Sequence, residues 1–166
     1  MKNDTSLYLL DFEEGVCNAK SKILAKGGND PKMEYKVPDV SAIYCLYSTK
    51  DNGRGGRCLN NLLYVGKTVA SNGFRNRCLQ HLDPERDDYL HNTIDDCPDN
   101  LCWYTYALLD GRSLEKCEAA MIKLFKPPLN KNAPAHNGVS NLEINGRYAW
   151  GIKGTWTISS DAKLKM

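Results

Sequence analysis

Three short apolar runs in the middle of the chain predict β-strands. The first covers residues 42 to 48, the second covers 62 to 66 and the third covers 102 to 109. All three are rich in β-branched or aromatic residues, which suit a pleated sheet. The turn-rich segment from Thr49 to Arg57 separates the first two runs. We therefore expect an antiparallel hairpin with a long loop at its tip.

The N-terminal part of the chain has the signals of a helix. Asp11 and Glu14 are spaced as a capping box, the apolar residues that follow recur at a helical period, and Gly27-Gly28 would end the helix. These features predict a helix over residues 11 to 26, within an N-terminal helical extension that covers residues 1 to 40.

Helical periodicity also occurs in the central part. It predicts helices over 73 to 82, from Pro84 to about Ile94, and over 114 to 125. Ser113 would cap the last of these helices, and Pro127-Pro128 would stop it.

The tail predicts a second hairpin, with strands at 148 to 152 and 155 to 158. The expected organisation is a single compact α+β domain. Its core covers residues 41 to 132, and a C-terminal extension covers 133 to 166.

Composition narrows the class of protein only moderately. The chain has 166 residues, a net charge of +2 and seven cysteines without a CxxC pair. Reduced, mostly buried thiols are the expected state, and the three dispersed histidines do not favour a zinc site. No apolar run approaches the roughly 20 residues that span a membrane. The expectation is a cytoplasmic protein without a membrane partner.

Positive charge is concentrated locally rather than spread over the chain. The basic residues in question are Arg54, Arg57, Lys67, Arg75 and Arg77. A local basic surface suits a partner that carries phosphates, and these five residues are the candidate phosphate contacts.

One carboxylate lies in an unexpected place. On the helix predicted at 114 to 125, Glu118 falls near the centre of the apolar face, whereas Glu115 falls on the exposed face. A carboxylate that loses its water is costly unless it binds a cation or a hydrogen-bond network. Two interpretations remain open, a structural salt bridge or a metal ligand at the edge of the core.

Two further patterns place polar groups beside the predicted core. Arg77 and His81 are four residues apart on one helix and so share a face, as exposed residues or as a pair pointing into one cleft. Lys67 follows the strand that contains Tyr64, and we expect its ammonium to lie close to the Tyr64 hydroxyl.

The ordered set of these residues resembles the GIY-YIG nuclease superfamily. The motifs are Ala42-Ile43-Tyr44, Tyr64-Val65-Gly66-Lys67, Arg77 with His81, Glu118, and Pro128 with Asn130. The resemblance covers about residues 41 to 132. Ala42 stands where the family usually has glycine, and the loops between the motifs are longer than in minimal members. That length is similar to the restriction-endonuclease branch.

The resemblance implies a small three-stranded antiparallel sheet flanked by helices, and metal-dependent hydrolysis of a DNA phosphodiester. One Mg²⁺ or Mn²⁺ ion per active site would have Glu118 as its protein ligand. The other implied roles are phosphate binding by Arg77, activation of water by Tyr44 or Tyr64 with Lys67 lowering a phenol pKa, assistance by His81, and a hydrogen bond near the cleft from Asn130.

The resulting hypothesis is a type II restriction enzyme that acts on double-stranded DNA, for which a homodimer would match a palindromic site. The alternatives are a nicking, repair or mobile-element nuclease with the same site, and a DNA-binding module of this fold without catalysis.

Overall fold

A computed structural model of the protein describes residues 7–15, 40–51, 53–54, 57–69, 77, 103–109, 111–132, 139–146, 149 and 151–157. The described elements are strands β1 (Leu7–Gly15), β2 (Ala42–Asp51), β3 (Arg57–Thr68) and β4 (Trp103–Leu108), helix α1 (Gly111–Phe125), and strands β5 (Asn141–Asn145) and β6 (Gly154–Thr157). They form an α+β fold in which one sheet has the strand order β3-β2-β4-β1-β5-β6.

The three central strands pair as the sequence predicts. Strand β2 pairs antiparallel with both β3 and β4, which confirms the hairpin and the third strand. The sheet nevertheless has six strands, so the expectation of three is wrong for this sheet. Strand β1 pairs antiparallel with β4 and parallel with β5, and β6 pairs antiparallel with β5.

The predicted helix over 11 to 26 is wrong at its start, because residues 11 to 15 belong to β1. Leu10 and Phe12 are buried, whereas Leu9 and Asp11, which alternate with them, are exposed, and this is the two-residue period of a strand. Pairing with a strand on each side outweighs the local capping signal of Asp11 and Glu14. Residues 16 to 26 lie outside the described part of the chain.

The tail forms a hairpin, but its first strand is β5 rather than the predicted segment at 148 to 152. Leu142 and Ile144 are buried in alternation with less buried neighbours, as a half-buried strand requires. Ala149, Gly151 and Ile152 instead lie in the connection to β6, where the Ile152 N–H donates to the Ala149 carbonyl at 3.2 Å. The predicted second strand is confirmed over residues 155 to 157.

Helix α1 is confirmed, although it begins earlier than predicted. It starts at Gly111, so Ser113 lies inside the first turn instead of capping it. The helix ends at Phe125, as the two prolines predict. Lys126 takes a left-handed conformation (φ 48°), and its N–H donates to the Ile122 carbonyl at 2.9 Å. This turn redirects the chain toward the outer edge of β3.

Cross-strand register divides the sheet into two faces. One face packs against Leu114, Cys117 and Met121 of α1 in a single core cluster. The strand residues on this face are Leu10, Phe12, Ile43, Cys45, Val65, Ala107, Leu142 and Ile144. Because side chains alternate along a strand, Tyr44, Tyr64 and Gly66 belong to the opposite face.

The hairpin of β2 and β3 extends beyond the rest of the sheet. Strand β4 pairs with β2 only as far as Tyr47, and the ladder between β2 and β3 is irregular on either side of this residue. Beyond it, β2 reaches Asp51 and β3 begins at Arg57, so part of the predicted loop is strand. We call residues 48–61 the hairpin arm. Gly53 at its tip has a φ of 71°, and Arg54 is exposed.

The described residues contain no helix that is long and apolar enough to cross a membrane. The predicted helices at 73 to 82 and 84 to 94 lie outside the described part, except for Arg77, whose backbone is helical.

The placement of β1 can be tested with two adjacent leucines. We expect Leu10→Ala to lower the free energy of unfolding by about 2–5 kcal/mol, since Leu10 is fully buried. Leu9→Ala is the matched control and should change stability by no more than about 0.5 kcal/mol, because Leu9 is 50% exposed. Urea unfolding measures both values. Equal losses would contradict the alternation of a strand.

Candidate active site

The motif residues that are far apart in the sequence meet beside the β2–β3 pair. Tyr44 lies on β2, Tyr64 and Lys67 lie on β3, and Glu118 lies on α1. Arg77 contacts both tyrosines, and Asn130 contacts β3. His81 and Arg75, the other two residues predicted for this region, lie outside the described residues.

The two tyrosines pack against each other over a glycine. Their ring centroids are 6.0 Å apart with a 40° angle between the ring planes. Gly66 lies directly across from Tyr44 in the ladder. A Cβ atom on Gly66 would lie 2.5 Å from both Cζ and Oη of Tyr44 and 2.7 Å from Cε1 of Tyr64. The glycine is therefore required by the space that the Tyr44 ring occupies.

Arg77 is the cation that hydrogen-bonds both tyrosines. Its Nε donates to the Tyr44 hydroxyl at 3.4 Å, and its guanidinium also hydrogen-bonds Tyr64. Burial disfavours the charge of Arg77, but the two phenol oxygens favour it, and the pKa of Arg77 is raised in balance. The side chain thus stays charged while it is partly removed from water.

Burial raises the pKa of the Tyr64 phenol above its ordinary value. The charge of Arg77 opposes this shift and that of Glu118 adds to it, while hydrogen bonds with Tyr44 and Arg77 lower the pKa. The net direction means that Tyr64 is neutral at pH 7. For Tyr64, the net direction is opposite to the expected lowering of a phenol pKa by Lys67.

The side chain of Lys67 is directed differently from the sequence prediction, which placed its ammonium close to the Tyr64 hydroxyl. Tyr64 and Lys67 are an odd number of residues apart in a regular part of β3, so their side chains leave opposite faces of the strand. The Lys67 ammonium instead lies 2.9 Å from Oε1 of Glu115 and 3.4 Å from Oε2 of Glu118. The pKa of Lys67 is raised, since these two carboxylates outweigh the effect of burial.

Glu118 lies at the edge of the core, with 19% of its side chain exposed. Desolvation raises the pKa of this carboxyl, Lys67 opposes the shift, Glu115 adds to it, and Arg77 opposes it. In balance the surroundings disfavour the charged carboxylate, even with an ammonium at 3.4 Å. The ion pair with Lys67 confirms the salt-bridge interpretation from the sequence, whereas the metal-ligand interpretation stays a prediction.

Asn130 ties the outer edge of the sheet to the segment that follows α1. Its Oδ1 accepts from the Val65 N–H at 2.9 Å, and its Nδ2 donates to the Val65 carbonyl at 2.8 Å. The Leu129 N–H donates to the Leu63 carbonyl at 2.9 Å. The amide thereby replaces a missing neighbouring strand, and it fixes the backbone between Tyr64 and Gly66. Asn130 is a positioning residue in this arrangement.

Glu115 is the site neighbour that sequence reasoning missed. Periodicity placed it on the exposed face, and its side chain is indeed 49% exposed. It is three residues before Glu118, so both carboxylates leave neighbouring positions on the same side of α1. That spacing, taken together with the nearby cation, was the available signal.

The basic residues predicted to meet DNA are divided between two places. Lys67 and Arg77 lie at the cluster of tyrosines and carboxylates, whereas Arg54 lies at the tip of the hairpin arm and Arg57 begins β3. The predicted contact of these residues with DNA stays a prediction, and Arg75 lies outside the described residues.

The donor set at Glu118 is compatible with one hard divalent cation. Among the described residues there is no group of three or more histidine, cysteine, aspartate or glutamate side chains that could hold a metal. Mg²⁺ commonly uses one or two carboxylates together with water and phosphate oxygens. A partly buried carboxylate with a raised pKa fits that use, because a cation would stabilise its charge.

No protein-family model, curated protein or solved structure matches this chain. The resemblance to the GIY-YIG superfamily accordingly rests on the motif residues of the sequence.

The contact between Gly66 and the tyrosines predicts the effect of one methyl group. We expect Gly66→Ala to reduce the free energy of unfolding by about 1–3 kcal/mol, because the new Cβ overlaps the Tyr44 ring. Combined with Tyr44→Ala, the same substitution should cost less, and a double-mutant cycle in urea measures this coupling. Strictly additive losses would mean that the ring does not limit the space.

The carboxyl of Glu118 predicts a dependence of stability on pH. Since its pKa is raised in the folded protein, the wild type loses stability as the pH rises through that pKa. We expect Glu118→Gln to have a higher thermal midpoint at pH 7 in EDTA, and this advantage to vanish below about pH 4.5.

Glu143→Gln removes an equal charge on β5, on the other side of the sheet's centre from β3, and provides the control. A lower midpoint for Glu118→Gln at pH 7 would show that the ion pair with Lys67 outweighs the cost of desolvation.

Proposed function

We propose that the protein is a metal-dependent endonuclease of the GIY-YIG type, which hydrolyses phosphodiester bonds in double-stranded DNA. The observation that carries the proposal is the Arg77 guanidinium, which joins the Tyr44 and Tyr64 hydroxyls and whose charge also acts on the desolvated Glu118 carboxylate. These groups come from four segments of the chain. A fold that needed only a stable core would fill this edge with apolar side chains at lower cost.

Arg77 is the group suited to the scissile phosphate. Its guanidinium is charged at every pH relevant to a cell, and its fork of donors can hold two phosphate oxygens. Negative charge that develops on the phosphate would be stabilised by a donor that is already in place. The hydrogen bonds to the two tyrosines hold the guanidinium at the face of the sheet.

The tyrosines are suited to orient the attacking water. Because burial keeps the Tyr64 phenol protonated at pH 7, its hydroxyl can donate and accept hydrogen bonds but is not a ready base. Tyr44 is fully buried, and its hydroxyl accepts from the same Arg77 guanidinium that hydrogen-bonds Tyr64. Tyr44 therefore helps to fix the positions of Arg77 and Tyr64. Proton removal by Tyr64 would require positive charge beyond that present in the protein alone.

Glu118 would hold one Mg²⁺ or Mn²⁺ ion, with water and phosphate oxygens as the remaining ligands. When bound, such an ion neutralises charge on the phosphate and makes a nearby water more acidic. Lys67 would stay close to the site through its ion pair with Glu115, and Asn130 would keep β3 and its tyrosine in register.

Cleavage of supercoiled plasmid tests this proposal. With Mg²⁺ the wild type should cut DNA, and Glu118→Gln should lose cleavage by at least about 100-fold while it retains DNA binding. Gel analysis measures products, and a mobility shift in EDTA measures binding. Linear product would indicate cutting of both strands, as in a restriction enzyme, whereas open circles would indicate a nicking enzyme.

Glu143→Gln removes an equal charge on β5 and should cut normally. Retained binding without any cleavage by the wild type would support the alternative of a DNA-binding module. Undiminished Mg²⁺-dependent cleavage by Glu118→Gln would contradict the role given to this carboxylate.

The hairpin arm predicts a contact with the DNA backbone. Replacing Arg54 and Arg57 together by alanine should weaken binding to all sequences and reduce the slope of log affinity against log salt by about 0.9 per lost phosphate contact. Lys153→Ala is the control, because this exposed lysine follows the connection between β5 and β6 at the other end of the sheet. An unchanged slope for the arginine variant would exclude this contact.

A further inference from the structure

Lys67 forms ion pairs with two carboxylates, Glu115 and Glu118, and its ammonium lies closer to Glu115, which is the more exposed of the two. Its Nζ is 2.9 Å from Oε1 of Glu115 in a hydrogen bond, and 3.4 Å from Oε2 of Glu118. Both acids lie on α1, whereas the lysine is near the end of β3. The ammonium therefore bridges two positions that are three residues apart on a helix.

This arrangement creates a competition at Glu118. The ammonium lies beside the Glu118 carboxylate oxygen, and a divalent cation would approach the same oxygen. Two positive charges that share one carboxylate repel each other strongly. Lys67 must then give up its contact with Glu118 as the cation binds. Its side chain is only 26% exposed, so an ammonium without a partner would be costly there.

We propose that Glu115 is a positioning residue that retains Lys67 when a divalent cation binds Glu118. This inference rests on the proposed function. Glu115 lets the ammonium leave the Glu118 oxygen without losing its ion pair, so Glu118 becomes available to the cation at little cost. Glu115 needs no contact with the cation or with DNA for this role.

A competing explanation would give the same sign of effect. Glu115 could simply add negative charge near the cation, without any involvement of Lys67. The two explanations differ in one respect, because a holding role requires the lysine and a field effect does not. A double-mutant cycle between Glu115 and Lys67 separates them.

The experiment measures Mn²⁺ binding to the full chain without DNA, by electron paramagnetic resonance of the free ion. Glu115→Gln should weaken Mn²⁺ binding by about tenfold in the wild-type background, as expected for one close charge pair in partly buried surroundings. In the Lys67→Met background, where no ammonium competes, the same substitution should change the affinity by less than about twofold.

Glu143→Gln is matched in charge, lies on β5, and should leave Mn²⁺ affinity unchanged. Thermal midpoints of all variants establish that each is folded. An equal loss in both lysine backgrounds would overturn the holding role in favour of a field effect, and no loss in either would overturn any role of Glu115.

Failure of the proposed function has a different signature. In that case wild type and Glu118→Gln would bind Mn²⁺ equally poorly, and the inference would fall with it. Mn²⁺ binding that depends on Glu118 but is unaffected by Glu115→Gln would overturn this inference alone.

Discussion

The alternation of side chains along β3 is the constraint on which the rest of the site depends. Val65 points into the core under α1, Tyr64 and Gly66 belong to the opposite face, and Lys67 reaches the carboxylates of the helix. A shift of one residue would exchange these faces, and Lys67 would point away from the carboxylates of α1. Since β3 is an edge strand, Asn130 supplies the pairing that would otherwise be missing on its outer side.

The charges of the site are tolerated because each has a partner of opposite sign or a strong dipole. Glu118 lies near Lys67 and Arg77, and Arg77 also has two phenol oxygens. These partners do not fully compensate for the loss of water, since burial raises the pKa values of both Glu118 and Tyr64. An arrangement that leaves a carboxylate short of positive charge is poor for stability and well suited to cation binding.

Local patterns in the sequence were sufficient for β2, β3, β4 and α1, because each has its own strong periodicity. They were misleading for β1, where Asp11 and Glu14 mimic a helix start while the burial of Leu10 and Phe12 depends on strands over ninety residues away. The partner of Lys67 was also beyond local reasoning. The sequence places Glu118 and Glu115 on the helix, but the rotation of α1 against β3 follows only from packing of the whole core.

The parallel pairing of β1 with β5 has a consequence for how the chain folds. Strand β1 lies between β4 and β5, so the first described strand acquires both of its neighbours only after the chain has been made beyond residue 140. Closing such long loops is slow compared with forming the β2–β3 hairpin. During synthesis the hairpin with its tyrosines can form early, and β1 can pair with β4, but the other edge of β1 stays open until β5 has been made. A chain released before β5 would therefore expose a strand edge that readily pairs with other molecules.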